Sequence, residues 1–296
     1  MNIIAEYDNG NTHVSLFDNG TKIRETNDDE FIPVFAENMD IKICNRCNMN
    51  CQFCHENSTY DGKLADIMNE KFINTLHPYQ EVALGGGNVL EHPDLVSFLE
   101  KLRSLKVIPN ITLNQKHFED NIELVDDLIN RQLIFGLGVS LNKPSDEFIS
   151  KIKKYPNAVI HVINGIAKPS DIKFLANKGL KILILGYKVL RRGAIWLNER
   201  NDEIKENQKW LSTNLFPLLS KFKVVSFDNL AIEQLQIKEK IDNNIWNQFY
   251  AGDDGSHTYY IDMVERKFAK SSTADFDKRY ELMDSVDDMF KKIISE

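Results

Sequence analysis

The sequence predicts an α/β fold built on a parallel sheet. Two observations carry this. Between residues 40 and 190 short apolar runs alternate with amphipathic stretches, giving six strands, each followed by a helix except the last. Runs such as KILILG also have the unbroken apolar character of parallel strands buried on both faces. A length of 296 residues, 42% of them hydrophobic, allows one large core or two smaller ones. Six units suggest an open, partial barrel, and a doubly wound sheet fits the same pattern.

The elements follow in order. Residues 2–26 alternate around DNGN and DNGT, which predicts a β-hairpin with Asn-Gly turns. DIKIC (40–44) is a strand, and DIMNEKFINTL (66–76) has the helical spacing of Ile67, Phe72, Ile73 and Leu76. EVALGGG (81–87) is a strand running into glycines. DLVSFLEKLRSL (94–105) is an amphipathic helix with Leu95, Phe98, Leu99 and Leu102 on one side. NITLN (110–114), FGLGVSLN (135–142), AVIHVING (158–165) and LKILILG (180–186) are strands. They alternate with helices over 117–131, 145–154 and 170–179, the last closed by Gly179. A long helix (202–220), the strand in KVVSFDNLAI, a second hairpin over 256–272 and an amphipathic helix in FDKRYELMDSVDDMFKKII complete the chain. Three parts are expected: an N-terminal hairpin extension (1–36), the strand–helix body (37–222) and an α+β extension capping it (223–296).

The net charge of −8 argues against a general nucleic-acid binder, because phosphate contacts need a cationic face. The local basic stretch KVLRRG (188–193) reads equally as an anion contact and as a solvated loop. No apolar run reaches the roughly 18–20 residues that span a bilayer, and MNIIAEYDNG lacks the form of a signal peptide. Clustered cysteines without such a signal point to a reducing cytoplasm, where they bind metal more often than they form disulfides.

All four cysteines fall within CNRCNMNCQFC (44–54). Cys47, Cys51 and Cys54 are spaced C-x3-C-x2-C, and Cys44 precedes them by three. Residues three and four apart in a loop can turn their thiolates inward, and thiolates suit iron–sulfur clusters and zinc. A structural zinc site of four cysteines, or of Cys47, Cys51, Cys54 and His55, is one alternative, and a closed four-cysteine electron-transfer cluster is another.

A strand running into C-x3-C-x2-C, with an aromatic before the last cysteine, resembles the signature of the radical S-adenosylmethionine (radical SAM) superfamily. The resemblance covers roughly residues 38–190. It implies a partial (β/α)6 TIM-like barrel, a [4Fe–4S] cluster held by Cys47, Cys51 and Cys54, and SAM on the fourth iron. Phe53 takes the aromatic position, whose backbone meets adenine in the family, and Cys44 falls where relatives often carry Thr or Ser. The stretch LGGGNVLEHPDL (84–95) is similar to the family's GGGEPLLHPDL in the same register. By that resemblance Gly85, Gly86 and Gly87 let the backbone approach the methionine part of SAM. Asn88 and Val89 depart from the family's Glu and Pro, and His92 is expected to cap or pack.

Asn114, Ser140 and Tyr187 end strands at positions where relatives meet SAM or substrate. His161, inside a strand, is expected to be a satisfied barrel histidine. The chain has no cysteine after Cys54. Its C-terminal hairpin is similar to a cysteine-free form of the SPASM or twitch extension of peptide-modifying relatives. Asp228, Asp253, Asp254 and Asp262 are candidate substrate contacts and also ordinary turn formers. The resemblance therefore implies a radical SAM enzyme of the cytoplasm, reduced by a donor such as flavodoxin or ferredoxin. It would act on a small metabolite or nucleotide, or alternatively on a peptide. A non-catalytic zinc or iron–sulfur protein is the remaining reading.

Overall fold

The computed structural model describes residues 1–295. At the N-terminus, β1 (Ile3–Asn9), β2 (Thr12–Phe17) and β3 (Lys22–Glu25) form an antiparallel sheet. The expected hairpin is thus a three-stranded meander, because the second Asn-Gly turn makes a second reversal. This sheet sits at the N-terminal ends of the main sheet's strands. Asn157 donates to the Asp18 carbonyl (3.0 Å) and Lys181 to that of Asn19 (3.1 Å), so the DNGT turn reaches in beneath the lumen.

The main sheet has the order β10-β9-β8-β7-β6-β5-β4-β11-β12-β13. Its first six strands in sequence are those expected: β4 (Asn38–Cys44), β5 (Glu81–Gly86), β6 (Ile108–Asn114), β7 (Gly136–Ser140), β8 (Ala158–Ile163) and β9 (Lys181–Leu185). They are all parallel. Two more parallel strands extend them: β10 (Val224–Phe227) beside β9, and β11 (Thr258–Asp262) beside β4. The antiparallel β12 (Lys267–Ala269) and β13 (Tyr280–Glu281) then follow β11. The C-terminal hairpin therefore joins the sheet at the edge of its first strand, and the segment after β12 lines the internal cavity.

The helices cover the outer face: α1 (Leu95–Ser104), α2 (Gln115–Asp120), α3 (Ile122–Asn130), α4 (Asp146–Ile152), α5 (Pro169–Leu175), α6 (Arg192–Leu219), α7 (Asn229–Gln234), α8 (Asn243–Phe249) and α9 (Val286–Ile294). Side-chain caps fix several starts: Ser145 accepts from the Phe148 N–H, Asp228 from Ala231 and Ser285 from Asp288. The helix expected over 66–76 is a single 3-10 stretch, Lys71–Thr75, and the one over 117–131 breaks at Asn121. The long helix starts ten residues early and kinks at Arg200.

The strands alternate rather than bury both faces. Met39, Ile41 and Ile43 of β4, Ile111 and Leu113 of β6, and Ile182 and Ile184 of β9 pack into the core. The intervening Asp40, Asn110, Thr112, His161 and Leu183 face an internal cavity of about 940 Å³. A partial barrel keeps a lumen, which is why the inner face carries polar groups that a sandwiched sheet would exclude. No helix among the described residues is long and apolar enough to cross a membrane.

Glu37, at the start of β4, locks the N-terminal sheet to the barrel floor. Its side chain is 1% exposed and accepts from Arg24 Nε (2.8 Å) and Lys22 Nζ (3.2 Å). Lys22 also reaches Glu81 (2.6 Å), and His257 lies 3.5 Å from the Glu37 carboxylate. Burial pushes the Glu37 pKa up, but Arg24, Lys22 and His257 outweigh it and hold the group below the usual carboxylate range. A carboxylate depressed in the folded state stabilises above its unfolded pKa, and that stability is lost as pH falls through the folded value. Glu37→Gln should therefore cost about 3–5 kcal/mol at pH 7, as breaking one side of a buried pair does. The gap between variant and parent in urea unfolding should narrow as pH drops below about 4, the ordinary Glu range.

Candidate functional site

The cysteine loop leaves β4 at Cys44 and folds back on itself. Asn45 donates to the Lys63 carbonyl (2.7 Å), Cys47 to Thr59 (2.8 Å) and Thr59 to Asn45 (3.1 Å). The glycine strand then grips the loop from below, with Gly87 N–H on the Cys44 carbonyl (2.8 Å) and Asn88 N–H on that of Arg46 (2.7 Å). Two of the three glycines are needed for this docking. Gly86 has φ +122°, and a Cβ on Gly87 would run into the Arg46 carbonyl. Gly85 differs, since a Cβ there would meet nothing within 4 Å. The basic stretch supplies the loop's other clamp. Arg191 donates to the Glu56 carbonyl (2.6 Å), and Arg192 donates to Asn50 Oδ1 and the Ser58 carbonyl (both 2.6 Å).

Cys47, Cys51 and Cys54 are half-buried, form no disulfide and all line the lumen cavity. Burial pushes the thiols of Cys47 and Cys51 up, with the neighbouring cysteines adding to it. Cys44 stands apart. It is fully buried, its Sγ is 3.9 Å from the Arg46 carbonyl, and burial raises its pKa to about 11. Among the described residues no three His, Cys, Asp or Glu side chains gather closely enough to hold a single ion.

Phe53, Gly85, Gly86, Gly87, Asn114 and Ser140 line the same cavity. Asn114 also caps α2 and exchanges hydrogen bonds with Asn142 (2.7 and 2.8 Å). Tyr187 is set apart from them: its side chain is buried and donates to the Gly193 carbonyl (2.7 Å), and it is the next residue, Lys188, that faces the lumen. His92 packs and caps, with Nε2 on the Ala65 carbonyl (2.9 Å) and Nδ1 accepting from Asp94 N–H (3.2 Å). His161 is not satisfied within the wall. Its ring opens on the lumen against Gly138, and burial holds its pKa down at about 4, so it is neutral at pH 7. Asp228 and Asp254 line the lumen, whereas Asp253 is taken by the Tyr250 hydroxyl.

Sequence reading missed the charges of β4. Asp40 and Lys42 alternate along β4 and both point inward; a charged residue at every second position of an otherwise apolar strand was the available signal. Asp40 is open to the lumen yet shielded from bulk water, and burial raises its pKa, with Lys188 opposing. Lys42, 2% exposed, lies between Glu56 Oε2 (2.7 Å) and Asp262 Oδ2 (3.2 Å). Arg279 approaches Asp262 (3.5 Å), Arg191 approaches Glu56 (3.4 Å), and the Tyr260 hydroxyl is 3.4 Å from both carboxylates. Burial pushes Glu56 up, but its contacts with His55 and Lys42 win and hold it well below the usual range. His55, 3.3 Å from Glu56, is pushed down to about 4 by burial and by the ammonium groups of Lys188 and Lys42. The network joins β4, the cysteine loop, the basic stretch and the C-terminal strands.

Residues 41–186 match the family profile of the radical SAM superfamily, a span that opens on β4 and closes at the end of β9. The chain belongs to the radical SAM superfamily. A probable GTP 3',8-cyclase of Methanocaldococcus jannaschii is 25% identical over 238 residues, covering 78% of this chain and 74% of that protein. Among solved structures, Streptococcus suis SuiB bound to S-adenosylmethionine superposes with a TM-score of 0.57 at 12% identity over 84% of this chain. SuiB bound to its precursor peptide SuiA gives 0.52 at 14% identity over 81%. The chain spans 64% and 60% of those SuiB chains, and the likeness shows the fold. Radical SAM enzymes bind a [4Fe–4S] cluster and SAM, and the donor set here suits them: three soft, unpaired thiols on one cavity wall, with side-chain-free space at Gly85.

The two glycine roles separate by substitution. Gly87→Ala should destabilise the chain by about 1–3 kcal/mol, the usual cost of overpacking, because the Arg46 carbonyl must move. Gly85→Ala should leave the thermal midpoint within a degree or two while weakening SAM binding, read by equilibrium dialysis on the reconstituted protein.

Proposed function

We propose that this radical SAM enzyme acts on a small metabolite or nucleotide held in the barrel lumen. The observation that carries the reading is that the three thiols, Gly85 and a polar inner wall share one cavity of about 940 Å³, within the range of small-molecule sites. The distant likeness to a probable GTP 3',8-cyclase over most of both chains supports a compact substrate. Cys47, Cys51 and Cys54 would hold the cluster, with Phe53, Gly85, Asn114 and Ser140 around SAM. When bound, cluster and SAM supply a one-electron cleavage that yields methionine and a 5′-deoxyadenosyl radical able to take hydrogen from an unreactive carbon.

The chain's own residues prepare that event. Arg191, Arg192 and the Gly87–Cys44 hydrogen bond hold the cysteine loop in place. Neutral His161 and the half-buried Leu183 and Leu185 make one side of the lumen uncharged, and the DNGT turn restricts water from below. We take residues 1–36, 37–222 and 223–296 as the floor, the catalytic barrel and an extension that completes the sheet. A small iron–sulfur or flavin protein of the cytoplasm would deliver the electron.

SuiB was solved with its precursor peptide, and a peptide threaded into the same mouth is the second reading. The zinc reading has less support. Its fourth ligand would be Cys44, turned to the Arg46 carbonyl, or His55, engaged by Glu56 and Lys188.

Anaerobic reconstitution should give an iron–sulfur spectrum and dithionite-dependent 5′-deoxyadenosine. Cys51→Ala should lower that product more than about 100-fold, beyond the 10–100-fold typical of residues outside the ligand set. One bound zinc, no iron–sulfur absorbance and no SAM cleavage would overturn the reading.

A further inference from the structure

Several cations gather in the wall beside the cysteine loop. Lys42, Arg191 and Arg279 are shared between only two carboxylates, Glu56 and Asp262. Lys188 adds a fourth cation. Its ammonium donates to Ser272 Oγ (2.8 Å) and lies 3.4 Å from His55 Nε2. Among the described residues no carboxylate pairs with it. Asp40, Asp228 and Asp254 share the lumen with Lys188, whose charge reaches Asp40 and Asp228 through space. An ammonium on the cavity wall with no carboxylate in direct contact keeps donors that an incoming anion can take up.

The opposite side of this corner is an arc of hydroxyls. Ser271, Ser272 and Thr273 line the cavity together with Lys188 and Lys270. Ser271 and Thr273 bond to one another (2.6 Å), and the Thr273 N–H points to Ser271 Oγ (3.3 Å). Arg279 fixes the arc from behind through the carbonyls of Ser272 (2.9 Å) and Ala274 (3.1 Å). A fixed cation facing fixed hydroxyl donors suits a carboxylate or phosphate, whose oxygens accept several such bonds at once. The residues come from the β9–α6 loop and from the segment after β12, so two distant parts of the chain build one corner.

We propose that Lys188 and the Ser271–Ser272–Thr273 hydroxyls form a subsite for an anionic group, carboxylate or phosphate, of the substrate. The proposal rests on the lumen being the substrate chamber. It goes further in requiring that the substrate be an acid and in naming the corner where its charge is held.

The test is calorimetric titration of the anaerobically reconstituted full chain, saturated with SAM, with inorganic phosphate and separately with acetate. Saturable binding of at least one is expected. Lys188→Met should weaken it about ten-fold or more, in keeping with a lost charge-assisted hydrogen bond, while Lys188→Arg should retain most of it. Ser272→Asp, which sets a carboxylate against Lys188, should abolish it with an unchanged thermal midpoint, and this variant keeps the test decisive if Lys188→Met fails to fold. Stronger phosphate binding assigns a phosphorylated substrate, and stronger acetate binding a carboxylic acid. Absence of saturable binding, equal binding in Lys188→Met, or binding seen only when SAM is omitted would overturn the subsite. The parent's iron–sulfur spectrum and SAM cleavage are recorded on the same samples, so failure of the enzyme reading is seen separately from failure of the subsite.

Discussion

One buried ammonium ties this structure together. Lys42 projects from the first strand of the main sheet into a place where water cannot solvate it, and it is stable there only because Glu56 and Asp262 close on it from two sides. Glu56 comes two residues after the last cysteine, and Asp262 ends the strand that runs beside β4. The position of the cysteine loop is therefore set by charge pairing with strand residues as well as by its own hydrogen bonds. Arg191 and Arg279 extend the pairing to the β9–α6 loop and to the segment beyond β12. A loop without helix or strand gains a fixed shape in this way, which a multi-thiol metal site requires.

Much of the fold was legible because its signals are periodic. The six strand–helix units were readable from apolar spacing, and the cysteine and glycine stretches from residue type and register. The parts that were not legible depend on distance in space. Nothing in TYYID marks it as a parallel neighbour of NMDIKIC, since both read simply as strands. The break at Asn121 and the 3-10 stretch at Lys71–Thr75 lie where tertiary packing outweighs helical spacing.

The cysteine loop was more legible than the walls around it. Spacing grouped Cys47, Cys51, Cys54 and Phe53, and all four line one cavity. The glycine stretch proved to have two uses, with Gly86 and Gly87 seating the cysteine loop and Gly85 leaving room in the lumen. Tyr187 shows the limit of reading by position: one residue along a chain leaving a strand changes which side chain faces inward, and here Lys188 takes that place. Lys42 and Asp40 could have been noticed as charges in an apolar strand, but their partners lie more than two hundred residues away in one case, and no local pattern names them.

The pairing of β11 with β4 has a consequence for how the protein is made. Lys42 and Asp262 are 220 positions apart. In a nascent chain the cysteine loop leaves the ribosome about two hundred residues before the strand and carboxylate that settle it. Contacts of such long sequence separation form late and slowly. The fixed form of the cysteine loop thus belongs to the completed sheet and not to the loop's own residues.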